Sequence, residues 1–289
     1  MKKIAVINDL SGLGKCSLTA AIPVISVMGV QACPFPTAIL SNQTGYDSYY
    51  CDEYTRHMDA IMDEWEKRNF QPDGIYTGYL SDEKQIDKIL QFIHRFSRKH
   101  TRILIDPVMG DQGRVYGVYT PELCRKMRIL VQKAHIMTPN ITEALLLLYG
   151  EEKMIQEWEK LQLQSASDYL ALIEQIGGEL QKQYPFCTVV VTGVERKEEN
   201  GLIRMGNLLC HEKAKQWYFA EKFGGSYSGT GDLFASVLSA DMVKEVPLEV
   251  SVKKAVQFLS DAIYDTVKEG SDRNDGVCFE TYLSELAKG

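Results

Sequence analysis

The sequence predicts an α/β protein, a three-layer α/β/α sandwich with helices on both faces of a central, mostly parallel sheet. Three observations predict it. Short continuous apolar runs, KIAVI at 3 to 7, RILID at 102 to 106 and CTVVV at 187 to 191, read as strands buried on both faces. Segments with helical apolar spacing alternate with them. Polar, glycine-bearing loops follow the strands, and open α/β sheets bind ligands at the carboxyl ends of their strands.

The first strand ends in NDLSGLGKCSLTAA, a turn into a helix. A Walker A loop would need a glycine where Asp9 stands and Ser or Thr where Cys16 stands, so that motif fails. Gly12, Gly14 and Ser17 come near the dinucleotide fingerprint, but the acid expected at the end of the second strand is absent, that strand running through Pro34, Pro36, Ala38 and Leu40. Extended chain over 30 to 40 then empties into SNQTGYDSYY, polar and aromatic together. Tyr54, Met58, Ile61, Met62 and Trp65 mark an amphipathic helix between 52 and 68. After the strand in DGIYTGYL, Ser81 is expected to start a helix whose inner face is Ile86, Ile89, Leu90, Ile93 and Phe96.

RILID is followed by PVMGD, which puts Asp106 and Asp111 at or just past a strand's carboxyl end, where two acids suit Mg²⁺ held through water or, alternatively, cap a turn. QGRVYGVYTPEL has the glycines and tyrosines of a mobile flap. In HIMTPNITEALLLLYG, Asn140 and Glu143 have the spacing of a capping box. Polar helix is expected from 151 to 183, a strand over 187 to 193 with Thr192 and Gly193 at its exit, and a hairpin from GLIRMGNLLC and KQWYFAE. The last helices are expected near 232 to 244 and 248 to 268, the second with Val256, Leu259, Ile263 and Val267 inward.

Between the hairpin and those helices lies GGSYSGTGDLFASVL at 224 to 238, a glycine-rich loop that breaks directly into an apolar helix. A helix start gathers unpaired N–H donors and the positive end of the dipole, so phosphate oxygens are its natural guest. Asp232 falls in the first turn beside that guest, and Thr230 could cap the helix. The chemistry this arrangement offers is general-base catalysis: Asp232 takes the proton of a hydroxyl while Gly229, Thr230 and Gly231 hold the phosphoryl group under attack.

Composition narrows the classes. A net charge of −7 argues against a general nucleic-acid or anionic-membrane binder, though backbone N–H groups bind phosphate without any basic patch. Seven scattered cysteines with no C-x-x-C pair fit reduced thiols in a cytoplasm and offer no zinc site. MKKIAVIND has too short an apolar run for a signal peptide, and no later run is long enough to span a bilayer. No repeat or linker divides the 289 residues, so a single domain over 1–289 is expected.

With these residues assembled, the chain resembles the ribokinase-like superfamily and, within it, the pyridoxal kinases of vitamin B6 salvage. SNQTGY at 41 to 46, TGY at 77 to 79, DPVMGD at 106 to 111, VYTP at 118 to 121, TPNITE at 138 to 143 and GTGDLFA at 229 to 235 carry the likeness over nearly the whole length. The resemblance implies ATP-dependent phosphorylation of the 5′-hydroxymethyl group of pyridoxal, pyridoxine or pyridoxamine, without a separate lid domain. It implies Asp232 as base with Gly229, Thr230 and Gly231 as anion hole. Asp106, Asp111 and Glu143 are implied for Mg²⁺, Asp111 and Asn140 for the ATP phosphates, Tyr119 as the flap residue, and Thr138, Thr192 and Gly193 for the nucleotide. Thr44 and Tyr79 match contacts to the pyridine ring. K⁺ and a homodimer are implied as well.

The chain departs from that pattern after its first strand, where pyridoxal kinases usually carry Ser then His and this chain has Asp9 then Leu10. An Asp in NDLSG is closer to the hydroxymethylpyrimidine kinases of thiamin synthesis, which in turn commonly have Cys where Asp232 stands. Asp9 would pair with a ring nitrogen or an amine. A nicotinamide-dinucleotide oxidoreductase and a non-catalytic metabolite sensor are the readings from other classes.

Overall fold

In the computed structural model, which describes residues 1–198, 200–211 and 214–287, the first apolar run becomes β1 (Lys3–Ser11) and turns into α1 (Ser17–Val27). There follow β2 (Gln31–Leu40), β3 (Cys51–Glu53), α2 (Thr55–Lys67), β4 (Gly74–Thr77), α3 (Glu83–Phe96) and β5 (Arg102–Ile105). A two-stranded hairpin, β6 (Gly110–Asp111) and β7 (Arg114–Val115), leads to α4 (Pro121–Leu130), β8 (Ile136–Met137), α5 (Ile141–Tyr149), α6 (Glu151–Gln162) and α7 (Ala166–Gln183). The chain closes with β9 (Thr188–Lys197), β10 (Ile203–His211), β11 (Ala214–Glu221), α8 (Thr230–Val243), α9 (Leu248–Glu269) and α10 (Leu283–Leu286). It divides into two compact units, Met1–Leu104 with Phe223–Gly289, and Ile105–Lys222.

In the first unit the strand order is β5-β4-β1-β2-β3, parallel between β1 and its neighbours β2 and β4, with β3 antiparallel at the edge. Pro34 and Pro36, two residues apart, put both missing N–H groups on the same side of β2, and β3 pairs only with Ala38 to Leu40 beyond them. The register places Phe35 beside Ile7 and Thr77, and Pro34 beside Val6 and Tyr76. Because neighbours in register share a face, Phe35 and Tyr76 lie on opposite faces. Phe35 packs edge-on to Trp65 of α2 and Phe92 of α3, at ring separations of 5.6 and 5.0 Å. Tyr76 reaches α8 on the other face through its hydroxyl. Helices thus cover both faces, as the alternating pattern predicts.

The register of β1 shifts between Asn8 and Leu10, a bulge centred on Asp9. Bulges bend a strand and re-aim its side chains. This one falls past the end of the β1–β4 pairing, while Leu10 and Ser11 beyond it stay paired to β2.

In the second unit β8 runs parallel to β9, and β9, β10 and β11 form an antiparallel meander. The Thr138 amide donates to the Ile105 carbonyl at 3.2 Å, which ties the end of β5 to the loop after β8. Gly177 of α7 has no room for a side chain, since a Cβ there would stand 2.7 Å from the Cys210 sulfur of β10.

Three local expectations are corrected. Asp82, not Ser81, caps α3, its carboxylate accepting from the amides of Lys84 and Gln85 at 2.9 and 3.0 Å. The polar stretch from 151 to 183 is two helices, because Ser165 accepts from the Asp168 amide and starts α7 afresh. The inner face of α9 is Val252, Ala255, Phe258, Ala262 and Thr266, one position away from the larger aliphatics. Alanines let α9 approach α8, whose own residues from Leu233 to Asp241 are buried all round, so small size outweighs hydrophobicity in choosing the face. No described helix is long and apolar enough to cross a membrane.

The corrected face makes a direct expectation. Ala262→Leu should cost about 1–3 kcal/mol by overpacking, whereas Val267→Thr, at a residue 37% exposed, should cost about 0.5 kcal/mol or less in urea unfolding.

Candidate active site

Asp232 is held in the first turn of α8 by three donors within the first unit. The side-chain amide of Asn8 and the Tyr76 hydroxyl donate to Oδ1 at 2.9 and 3.3 Å, and the backbone amide of Ser17 donates to Oδ2 at 2.8 Å. Gly229 is the N-cap position, so Thr230 is the first helical residue rather than the cap, and its hydroxyl donates to the Tyr227 carbonyl at 3.3 Å. At φ +81 and with Lys15 oxygen 1.9 Å from where a Cβ would stand, position 229 admits only glycine. Gly231 lies exposed beside it. The first amides of a helix have no partner inside it, so this turn keeps donors facing outward next to the carboxylate.

Asp9, buried at the bulge, accepts from the Ser11 hydroxyl at 2.8 Å. Tyr79 leaves β4 with its amide donating to Asn8 Oδ1 at 2.8 Å and its carbonyl accepting from Thr37 at 3.0 Å. Thr44 sits exposed on the loop after β2. That loop is pinned by buried Gln43, whose amide donates to Asn274 Oδ1 at 3.0 Å and accepts from the Gly45 amide at 2.7 Å, and by a hydrogen bond from Tyr46 to Asp275. Gly12 and Gly14 are accounted for by this packing: a Cβ at either would meet Ser41 oxygen at 2.7 Å or the Gln43 side chain at 2.6 Å.

In the second unit the capping box is present. Asn140 Oδ1 accepts from the Glu143 amide at 3.0 Å, and Glu143 Oε2 accepts from the Asn140 amide at 2.9 Å. The same pair also fixes the loop after β5, because Glu143 Oε1 accepts from the Met109 amide at 3.1 Å and Asn140 Nδ2 donates to the Gly110 carbonyl at 2.8 Å. Asp106 follows β5 directly, buried, accepting from the Thr138 hydroxyl at 3.1 Å. The Thr192 amide donates to the Pro139 carbonyl at 2.9 Å, and exposed Gly193 follows at φ +69. Asp111 lies exposed on β6, accepting from its neighbour's amide, and Tyr119 is half-buried with its phenol beside Cys124.

A model of the phosphomethylpyrimidine kinase family matches residues 14–276. The chain belongs to that family. A Bacteroides thetaiotaomicron candidate phosphomethylpyrimidine kinase, solved with pyridoxal, is 33% identical, with 99% of this chain and 95% of that one covered at a TM-score of 0.85. Pyridoxal kinase from Lactobacillus plantarum is 26% identical, covering 100% and 97% at 0.86. A pyridoxine/pyridoxal/pyridoxamine kinase of Bordetella avium is 26% identical over 264 residues, 86% of this chain and 80% of that protein. Membership agrees with the family read from the motifs.

Electrostatics set the two acid groups of this family member apart. Burial pushes the Asp232 carboxyl up to about 6, with Asp9 adding to the rise and the Ser17, Asn8 and Tyr76 donors opposing it. Burial, and then the charge of Asp106, push the Glu143 carboxyl well up. Among the described residues no three acids or other ligands converge into a metal cage. Two crowded carboxylates, one with both oxygens already bonded to backbone amides, suit a hydrated divalent ion held through water.

Asn8, Tyr76 and Gln43 are neighbours of the candidate site residues that the sequence reading passed over, and Ser17 was read only for its spacing from Gly12 and Gly14. Asn8 carried a faint signal, a polar residue closing an apolar run next to an acid. Ser17 acts through its backbone at φ +50, which composition does not reveal.

Asp232 binds its proton more tightly in the folded chain than an ordinary carboxyl does, so ionising it removes stability. Between pH 4 and 7 the wild type should lose about 2 kcal/mol of unfolding free energy relative to Asp232→Asn, a figure discounted for partial exposure. Urea titrations at both pH values would read it; parallel curves would remove Asp232 as the buried acid.

Proposed function

We propose that the chain is an ATP-dependent kinase of vitamin B6 vitamers, transferring the γ-phosphoryl group of ATP to the 5′-hydroxymethyl group of pyridoxal, pyridoxine or pyridoxamine. The observation that carries this reading is the carboxylate of Asp232, fixed by three donors at the start of α8 next to unpaired helix amides. Its support from similarity is the pyridoxal in the Bacteroides thetaiotaomicron structure and the vitamers named in the Bordetella avium relative.

In this mechanism Asp232 accepts the hydroxyl proton as the alcohol oxygen bonds to the γ-phosphorus. The bond from phosphorus to the bridging oxygen breaks, and ADP leaves with that electron pair. Gly229, Thr230 and Gly231 face the anionic phosphoryl group with backbone N–H donors, while Asp9, Thr44 and Tyr79 take the ring. The nucleotide falls to Asp111, Tyr119, Thr138, Asn140, Thr192 and Gly193. Mg²⁺, with Asp106, Asp111 and Glu143 around its water shell, would neutralise phosphate charge; K⁺ would serve as the monovalent ion. Residues 1–289 act as one kinase domain in this reading, as a cytoplasmic homodimer whose seven described cysteines are all free thiols.

A second reading, hydroxymethylpyrimidine phosphorylation, is favoured by one observation: a buried Asp9, which suits an amino-substituted ring as well as a pyridine. A coupled ADP assay over pyridoxal, pyridoxine, pyridoxamine and hydroxymethylpyrimidine tests both. Turnover with a B6 vitamer and none with the pyrimidine is expected; the reverse would overturn the first reading.

Two variants follow. Asp232→Asn should bind ATP and vitamer almost normally but lose ~10²- to 10⁴-fold in kcat. Asp9→Ser should shift relative kcat/KM from pyridoxamine and pyridoxine towards pyridoxal, and an unchanged ranking would dismiss Asp9 as the ring selector.

A further inference from the structure

We propose that Asn8 is the positioning residue of the site: its amide aims Asp232 and keeps that carboxylate ready to accept a proton. The inference rests on Asp232 serving as the base. Asn8 is fully buried, and its amide has one possible orientation. Oδ1 accepts two backbone donors, the Asp9 amide at 3.0 Å and the Tyr79 amide at 2.8 Å. Only Nδ2 remains for Asp232 Oδ1, at 2.9 Å. A flipped amide would set an oxygen against a carboxylate and an NH₂ against two N–H groups.

The space for this amide is made by Gly78. A Cβ there would stand 2.3 Å from Asn8 Nδ2, so the glycine between Thr77 and Tyr79 exists to seat the Asn8 side chain. One side chain therefore joins the exit of β1, the exit of β4 and the start of α8.

Four other groups face Asp232. The Ser17 amide from α1 and the Tyr76 hydroxyl from β4 donate to it; the Asp9 carboxyl from β1 and the Cys16 thiol ahead of α1 lie nearby, and Asp9 disfavours its charge. Burial already pushes the carboxyl up, so each donor lost moves it further from ionisation at neutral pH. Of the two side-chain donors, Asn8 makes the shorter bond to Asp232, 2.9 against 3.3 Å for Tyr76.

Asn8→Leu is close to Asn in branched shape and removes the donor to Asp232 together with the acceptor for the Asp9 and Tyr79 amides. Gly78→Ala keeps Asn8 but pushes its amide aside. Both should move the acid limb of kcat/KM against pH upward by at least about one unit, which lowers kcat/KM about tenfold at pH 5 and about twofold at pH 7. A residue that merely supported the fold would lower the whole profile without moving the limb. Carbon-13 NMR of the aspartate carboxyls in the unliganded protein reads the Asp232 titration directly, and the same upward shift is expected there. That arm holds even if no alcohol is phosphorylated, which would sink the kinase reading but not the pairing. An Asp232 titration unmoved in both variants would overturn the proposal.

Discussion

The first unit depends on one constraint: a carboxylate must be held ionisable in a place that excludes most water. Burial pushes the Asp232 carboxyl up, against ionisation. The fold answers with donors drawn from β1, β4 and α1, each delivered by an element whose end meets the start of α8. Their geometry explains why backbone conformation is so restricted around the carboxylate, with glycine required at 78 and 229 and a left-handed Ser17. Strain of this kind is retained where the surrounding packing over-determines it.

The second unit solves a related problem with other means. Glu143 is buried with the charge of Asp106 close enough to push its carboxyl further up, and backbone amides of Asn140 and Met109 oppose that rise. A capping box normally serves only its own helix. Here both of its members also reach back to the loop after β5, so a local helix-start signal fixes a loop 30 to 34 residues earlier in the chain.

Much of this was legible in the sequence because it is written in short-range patterns. Apolar runs named the strands, the spacing of Asn140 and Glu143 named the capping box, and glycines beside Asp232 named the helix start. The inner face of α9 was not legible, since Ala255, Ala262 and Thr266 are chosen for closeness to α8 and not for apolar bulk. Nor was the role of Gly78, which depends on Asn8, seventy residues away. Capping and burial read from neighbours along the chain, whereas a glycine that makes room for a distant side chain reads only from the assembled sheet.

The bulge at Asp9 and the loop at 272 to 276 lie at opposite ends of the chain, yet Gln43, Tyr46, Lys15 and Ser228 all hydrogen-bond to that late loop. During synthesis Lys15, Gln43 and Tyr46 are therefore made early and wait, unbraced, until a segment about 230 or more residues later has emerged. Closure over such long separations is slow. The nascent chain passes through most of this elongation with the loop after β2 unpinned, and pins it only once residues 272 to 276 are made.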